Sequence, residues 1–230
     1  MTNLKPWIRW ISFSLAVGFA IRGVQLHVLG HQPQRGLVTD VVQGIIAGAV
    51  LAYFTANLLI DAKVRALQTT VNGWSATLRS GVARKDLGIL LRAACAKDIS
   101  ALNVPEEQVY WEAFVDGAGH KLNGRHDYLL HFPPGGLPPN EASWSLTLGD
   151  SGRRMVENPI HRYSVGGKSG LVSNADGSTD IYIQAAAPPA HEPNWLPAPA
   201  GDFMLWLRVY HPGAAILDGA YRVPPLVAAT

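Results

Sequence analysis

The amino-acid sequence predicts an N-terminal α-helical transmembrane hairpin and a helical connector, followed by an all-β, jelly-roll-like sandwich. Three observations lead to this fold class. Uncharged aliphatic residues are concentrated before Asp61, most of the Pro, Trp and Tyr residues follow Pro105, and a helical periodicity lies between these regions. The predicted domain bounds are therefore residues 1–61, 62–104 and 105–230.

The composition excludes two classes of protein. The net charge of the 230 residues is only +2, and no basic stripe is present, so we do not expect nucleic-acid binding. The single cysteine, Cys95, excludes an internal disulfide framework, although it does not identify the cellular compartment.

The segment Val41–Ile60 is the main membrane signal. It carries no charge and lies between Asp40 and Asp61. A bilayer core of about 30 Å is crossed by about 20 such residues in a helix. The alternative is a buried core helix of a soluble protein, for which so long an uncharged stretch is unusual.

The earlier segment Trp10–Leu29 is also predicted to be a retained membrane helix, although it contains Arg22. An arginine at the membrane centre costs about 2.5–3.5 kcal/mol on insertion scales, so Arg22 either snorkels or meets a polar group of a partner. A cleaved signal peptide is the alternative, since Lys5 and Arg9 precede an apolar run. No convincing cleavage site follows this run.

Small residues recur at every fourth position of the second helix, which allows close packing of helices in lipid. These residues are Gly44, Gly48, Ala52 and Ala56. The stripe predicts packing within the hairpin, self-association or docking to a membrane-protein partner.

Positive charges favour a cytoplasmic position for the globular domain at the inner membrane. Two basic residues flank each outer end of the hairpin, whereas the link between the helices holds only Arg35. The alternative places this domain in the periplasm.

The connector shows one helical stripe at alternating spacings of three and four. It consists of Val64, Leu67, Val71, Trp74 and Leu78. A second helix is predicted to begin near Ala83 and to end before Pro105.

Short apolar runs between turn residues predict the strands of a sandwich or jelly roll. The predicted strands are Tyr110–Val115, Tyr128–Phe132, Trp144–Leu148, Arg162–Val165, Thr179–Gln184 and Phe203–Tyr210.

Several motifs of this region occur together in one family. They include Asp116-Gly117, the run Trp144–Leu148, the run Asn194–Pro199 and Tyr210-His211-Pro212. In the order and spacing of these motifs, residues from Glu112 to Pro225 resemble the C-terminal module of the bacterial domain of unknown function 1214 family. The resemblance implies a jelly-roll-like β-sandwich and little about activity.

No motif predicts catalysis, a metal site or a cofactor. The chain has no His-x-His pair of the kind that a jelly-roll metal site uses, and it has no Gly-x-Ser-x-Gly nucleophile elbow. No pair of carboxylates stands out for glycosidic chemistry.

A group of polar and aromatic residues forms the remaining set of candidates for a ligand site or a structural network. These candidates are Asn158, Arg162, Asp176, Asn194, Trp195 and Arg208. Trp195 either fastens a loop over the core or forms the floor of a sugar-binding face, and Asp176 precedes a glycine as turn residues do.

These features favour a non-catalytic binding or scaffold subunit of a membrane-associated assembly. The alternative is an envelope enzyme or a carbohydrate-binding protein that acts on a polysaccharide or lipid. This alternative rests on analogy of fold.

Overall fold

The structure, a computed structural model, describes residues 37–67, 69–76 and 103–229. The chain divides into two compact units, Met1–Lys63 and Val64–Thr230. The predicted helix Trp10–Leu29, with Arg22, and the predicted helix from Ala83 lie outside the described residues.

The prediction of a long apolar helix is confirmed. Helix α1 covers Leu37–Leu67, and its segment Val42–Leu59 is long and apolar enough to cross a membrane. Large apolar side chains such as Phe54 and Leu58 are exposed in the described part of the chain. The two-helix hairpin and the orientation in a membrane stay predictions.

Ten strands and one further short helix form the described part of the second unit. The strands are β1 Thr69–Val71, β2 Trp74–Ala76, β3 Gln108–Ala113, β4 Tyr128–Phe132, β5 Asn140–Asp150, β6 Ser164–Gly166, β7 Thr179–Gln184, β8 Trp195–Pro197, β9 Phe203–Pro212 and β10 Leu226–Ala228; the helix is α2, Ala214–Leu217. They form a six-stranded sheet of order β1-β2-β3-β9-β5-β6 and a four-stranded sheet of order β10-β4-β7-β8.

Alternating side chains of the two sheets share one core, as in a sandwich. Leu146 of β5 and Leu207 of β9 pair across the larger sheet, and Leu130 of β4 and Ile181 of β7 pair across the smaller one. All four are fully buried in the same cluster.

Four of the six predicted strands are present at the predicted positions, and two of these are longer than predicted. The predictions for β4 and β7 are confirmed to the residue, β9 extends two residues further, and β5 extends in both directions to Asn140–Asp150. The first predicted strand is displaced by two residues, to Gln108–Ala113. The jelly-roll topology stays a prediction, and the pairing of β7 with β8 is parallel.

The predicted strand Arg162–Val165 is displaced. Strand β6 begins only at Ser164, and Arg162 lies in the loop before it. The physical reason is the side chain of Asn158, which receives a hydrogen bond from the Arg162 backbone N–H at 3.0 Å and donates one to the Arg162 carbonyl at 2.9 Å. Both backbone groups of Arg162 are therefore used within the loop.

The predicted helical stripe of the connector is confirmed for Val64 and Leu67, which lie in α1, and is wrong for Val71 and Trp74. Val71 and Trp74 are the paired ends of the hairpin β1–β2, whose two-residue turn is Asn72-Gly73. Both turn residues have positive φ, 55° and 82°, as a type I′ hairpin turn requires. The spacing of three between Val71 and Trp74 fits a helix as well, but the Asn72-Gly73 turn determines the structure here.

Candidate functional site

Four of the six candidate residues lie in one network beside the smaller sheet. Arg162 donates from one guanidinium nitrogen to the backbone carbonyls of Glu192 and Trp195, the second at 3.0 Å. The backbone of Arg162 is held in turn by Asn158. The loop before β6 is thereby fastened to the short 3-10 turn Glu192–Asn194 that leads into β8.

Asn194 is the buried centre of this network, with 4% of its surface exposed. Its Oδ1 accepts a hydrogen bond from the Val172 N–H at 2.8 Å, and its Nδ2 donates to the Val172 and Asp180 carbonyls at 2.7 Å each. A buried amide with these three bonds is well satisfied. Asn194 therefore joins three segments of backbone.

Trp195 closes the loop over the sandwich. Only 6% of the residue is exposed, and its indole Nε1 donates to the Gln184 carbonyl at 2.8 Å. A sugar-binding face needs an exposed ring, so this geometry favours the fastening role of Trp195.

Asp176 lies in the turn before β7 and is separate from that network. Its Oδ1 accepts from the hydroxyl of Ser178 at 2.7 Å and from the Ser178 N–H at 2.9 Å. These two hydrogen bonds hold the pKa of the Asp176 carboxyl below its usual value. The arrangement is that of a turn.

Arg208 lies on the outer face of the larger sheet. Its guanidinium is centred 5.3 Å from the ring of Trp206 and donates to Thr147 Oγ1 at 3.2 Å. The structure therefore does not place Arg208 with the Asn194 network.

A polar residue that sequence reasoning missed lies next to Trp206. Glu112 is buried, accepts from Trp206 Nε1 at 2.9 Å and pairs with the guanidinium of Arg153 at 2.8 Å. The alternation of side chains along β3 could have indicated that Glu112 points away from the core. Its partners Trp206 and Arg153 lie far from it in the sequence, so the sequence does not indicate them.

The small residues of α1 occupy its less exposed side. Gly48 is buried, and Gly44, Ala52 and Ala56 are half-buried, whereas large neighbours such as Leu51 are exposed. This distribution agrees with a packing face.

Within the part of the chain that the structure describes, no group of three or more His, Cys, Asp or Glu side chains could hold a metal ion. An exposed pair, His131 Nδ1 and Asp180 Oδ1, lies 2.6 Å apart on β4 and β7. Asn174 donates to the other oxygen of Asp180 at 3.0 Å.

One concave feature was also missed by sequence reasoning. A cavity of about 220 Å³, called the indole cavity below, lies between the β1–β2 hairpin, β3 and the segment after α2. Its lining residues are Thr69, Val71, Trp74, Ala76, Trp111, Gly219, Tyr221, Arg222 and Val223. The signal that could have indicated it is the Asn72-Gly73 turn, which places β1 and β2 beside β3.

Residues 107–214 match the model of the family described as "Protein of unknown function (DUF1214)". The predicted resemblance is thus confirmed for this C-terminal part of the chain. No curated protein matches the chain.

Two solved structures align with this chain, and the first is similar to it in fold. The VPA0106 protein from Vibrio parahaemolyticus has a TM-score of 0.59 at 22% identity, over 86% of this chain and 47% of that one. An uncharacterised protein from Burkholderia cenocepacia has a TM-score of 0.44 at 17% identity, over 86% and 46%. This chain therefore spans about half the length of each of these proteins.

Proposed function

We propose that this chain is a non-catalytic, membrane-anchored subunit whose β-sandwich binds or scaffolds a membrane-protein partner. The observation that carries the proposal is the exposed apolar surface of α1. In water, a helix with side chains such as Tyr53, Phe54 and Leu58 on its surface is unfavourable, whereas a bilayer accommodates them.

The proposal includes two membrane helices, an inner-membrane location and a jelly-roll-like sandwich on the cytoplasmic side. The small-residue face of α1 supports helix association, because small side chains allow close approach of a second backbone. Association with a partner is proposed to use this face.

The alternative of an envelope enzyme or carbohydrate-binding protein receives less support. It is based on analogy with other jelly-roll-like folds and on the Asn194-Trp195 loop, with Trp195 as a stacking surface. The indole is buried instead, and Asn194 and Arg162 are engaged with backbone groups of this chain.

Two measurements test the proposal. The full chain should stay in the membrane pellet after extraction with alkaline carbonate, and purification in mild detergent should bring down a stoichiometric membrane-protein partner. Release by carbonate would contradict the anchor, and a chain that elutes alone would contradict the subunit role.

A matched pair of helix variants makes the second measurement specific. Ala52→Ile enlarges a half-buried residue of the small face, whereas Ala49→Ile makes the same change at an exposed residue. We expect both variants in the membrane pellet, with about tenfold less partner recovered for Ala52→Ile, because overpacking costs about 1–3 kcal/mol. Equal recovery from both variants would contradict a role of this face.

A further inference from the structure

The indole cavity has a mixed lining, in which aromatic and aliphatic side chains lie beside the polar residues Thr69 and Arg222. The polar atoms of two of its aromatic residues are engaged outside it: Trp74 Nε1 donates to the Pro224 carbonyl at 2.8 Å, and the Tyr221 hydroxyl donates to the Gly136 carbonyl at 3.1 Å. Val71 and Val223 add aliphatic surface. A ligand would therefore meet rings and methyl groups on this side of the cavity, which suits an apolar body.

Trp111 is the exception among the aromatic residues of the cavity. Its side chain packs edge-on against Tyr221, with ring centroids 6.2 Å apart, and only 6% of the residue is exposed. Within the described residues, no group accepts a hydrogen bond from its indole N–H. The indole N–H keeps some contact with solvent, so an acceptor supplied by a ligand would replace water at this point.

Arg222 supplies a positive charge to the same lining. The residue is exposed, and its guanidinium donates to the Gly219 and Tyr221 backbone carbonyls. Among the described residues, no carboxylate forms an ion pair with it. These carbonyl contacts leave the positive charge uncompensated, and a guanidinium is well suited to a carboxylate.

We propose that the indole cavity binds a small carboxylate with an apolar body of about the size of an aromatic ring. The ring packs among Trp74, Tyr221 and the valines, and the carboxylate accepts from the Trp111 N–H and lies beside Arg222. The volume is sufficient, since an apolar cavity of about 150 Å³ accommodates benzene. The proposal does not depend on the membrane anchor or on a protein partner.

The test compares a charged probe with its neutral isostere. Phenylacetate and phenylacetamide are titrated separately into the full chain in lipid nanodiscs, and the indole N–H signals of the tryptophans are followed by NMR. Trp111→Phe identifies the signal of Trp111 by its loss. We expect phenylacetate to shift this signal in a saturable way, and phenylacetamide to bind about tenfold more weakly, because a hydrogen bond to a charged group is stronger than a neutral one.

Two arginine variants test the role of the charge. Arg222→Gln should weaken phenylacetate binding about tenfold and remove the preference over phenylacetamide. Arg125→Gln, at an exposed arginine outside the cavity, should leave the affinity unchanged. The proposal is overturned if phenylacetate does not shift the Trp111 signal, if the two probes bind equally to the unmodified chain, or if both arginine variants weaken binding equally.

Discussion

At the scale of single residues, Asn194 shows how one side chain can replace part of a strand ladder. Its amide forms hydrogen bonds with both the N–H and the carbonyl of Val172, as a neighbouring strand would. It donates a further hydrogen bond to the Asp180 carbonyl. Because the amide is buried, water cannot replace these bonds if the side chain is removed.

We therefore expect Asn194→Ala to lower the free energy of unfolding by about 2–4 kcal/mol, since several buried backbone groups lose their partner. Asn140→Ala is the matched control, because the Asn140 side chain makes one hydrogen bond, to the Pro138 carbonyl, and is only partly buried. Its cost should stay below about 1 kcal/mol. Urea unfolding followed by tryptophan fluorescence measures both, and equal costs would contradict the bridging role.

The carboxyl of Asp116 should make the folding stability of the sandwich depend on pH. Burial raises the pKa of its carboxyl, but the backbone N–H groups of His120 and Ala118 donate to it at 2.9 Å each and outweigh burial, so the pKa is lowered below 3.8. A lowered pKa contributes stability that is present above the unfolded-state pKa and is lost as the pH falls through the folded-state value.

The change Asp116→Asn should reduce this dependence, since the amide oxygen can still accept hydrogen bonds but cannot ionise. The urea midpoint of the unmodified chain should therefore fall more steeply below about pH 4 than that of the variant. Parallel curves for the two proteins between neutral and acidic pH would show that Asp116 does not contribute.

The limits of sequence reasoning are clear at these positions. The sequence predicts Asn158, Arg162, Asn194 and Trp195 as members of one group, and the structure brings them together. Whether they bind a ligand or one another could not be decided, because the partners of Asn194 and Arg162 lie 14 to 33 residues away in the sequence. Only the folded chain shows that backbone carbonyls occupy the polar groups.

At the scale of elements, the β1–β2 hairpin depends on Gly73. Its φ is +82°, and a Cβ at this position would lie 2.5 Å from the Asp116 backbone oxygen. An alanine would thus be strained by both its conformation and this contact.

Gly73→Ala should destabilise the sandwich by more than about 1 kcal/mol. Gly119→Ala is the matched control, since Gly119 has a similar φ of +88° with open space around its Cβ position. The difference between the two urea midpoints isolates the contact from the conformational strain. Similar midpoints would show that the backbone near Asp116 yields to the methyl group.

The elements themselves were predictable to different degrees. Strands β4 and β7 were predicted to the residue because alternating apolar residues end at clear turn signals. The hairpin β1–β2 was missed because Val71 and Trp74, three residues apart, also fit a helix. The three-residue strands β8 and β10 give almost no periodic pattern, and tertiary pairing determines them.

At the scale of the whole molecule, the proposed orientation can be tested by chemical labelling. The chain has one cysteine, so Cys95→Ser combined with Arg125→Cys places a single thiol on an exposed loop of the sandwich. For a cytoplasmic sandwich, a membrane-impermeant maleimide should label this thiol only after lysis of spheroplasts. Labelling of intact spheroplasts would place the sandwich in the periplasm.

The edge strands of the two sheets affect whether copies of the protein can associate through their strands. Among the described residues, the four edge strands are each three residues long: β1 and β6 in one sheet, and β8 and β10 in the other. Strand β8 also ends in Pro197, which has no N–H to donate. Such short edges offer few free backbone groups to the strand of another chain. The sandwich is thus protected against continuous edge-to-edge association of its sheets, even when many copies are concentrated side by side.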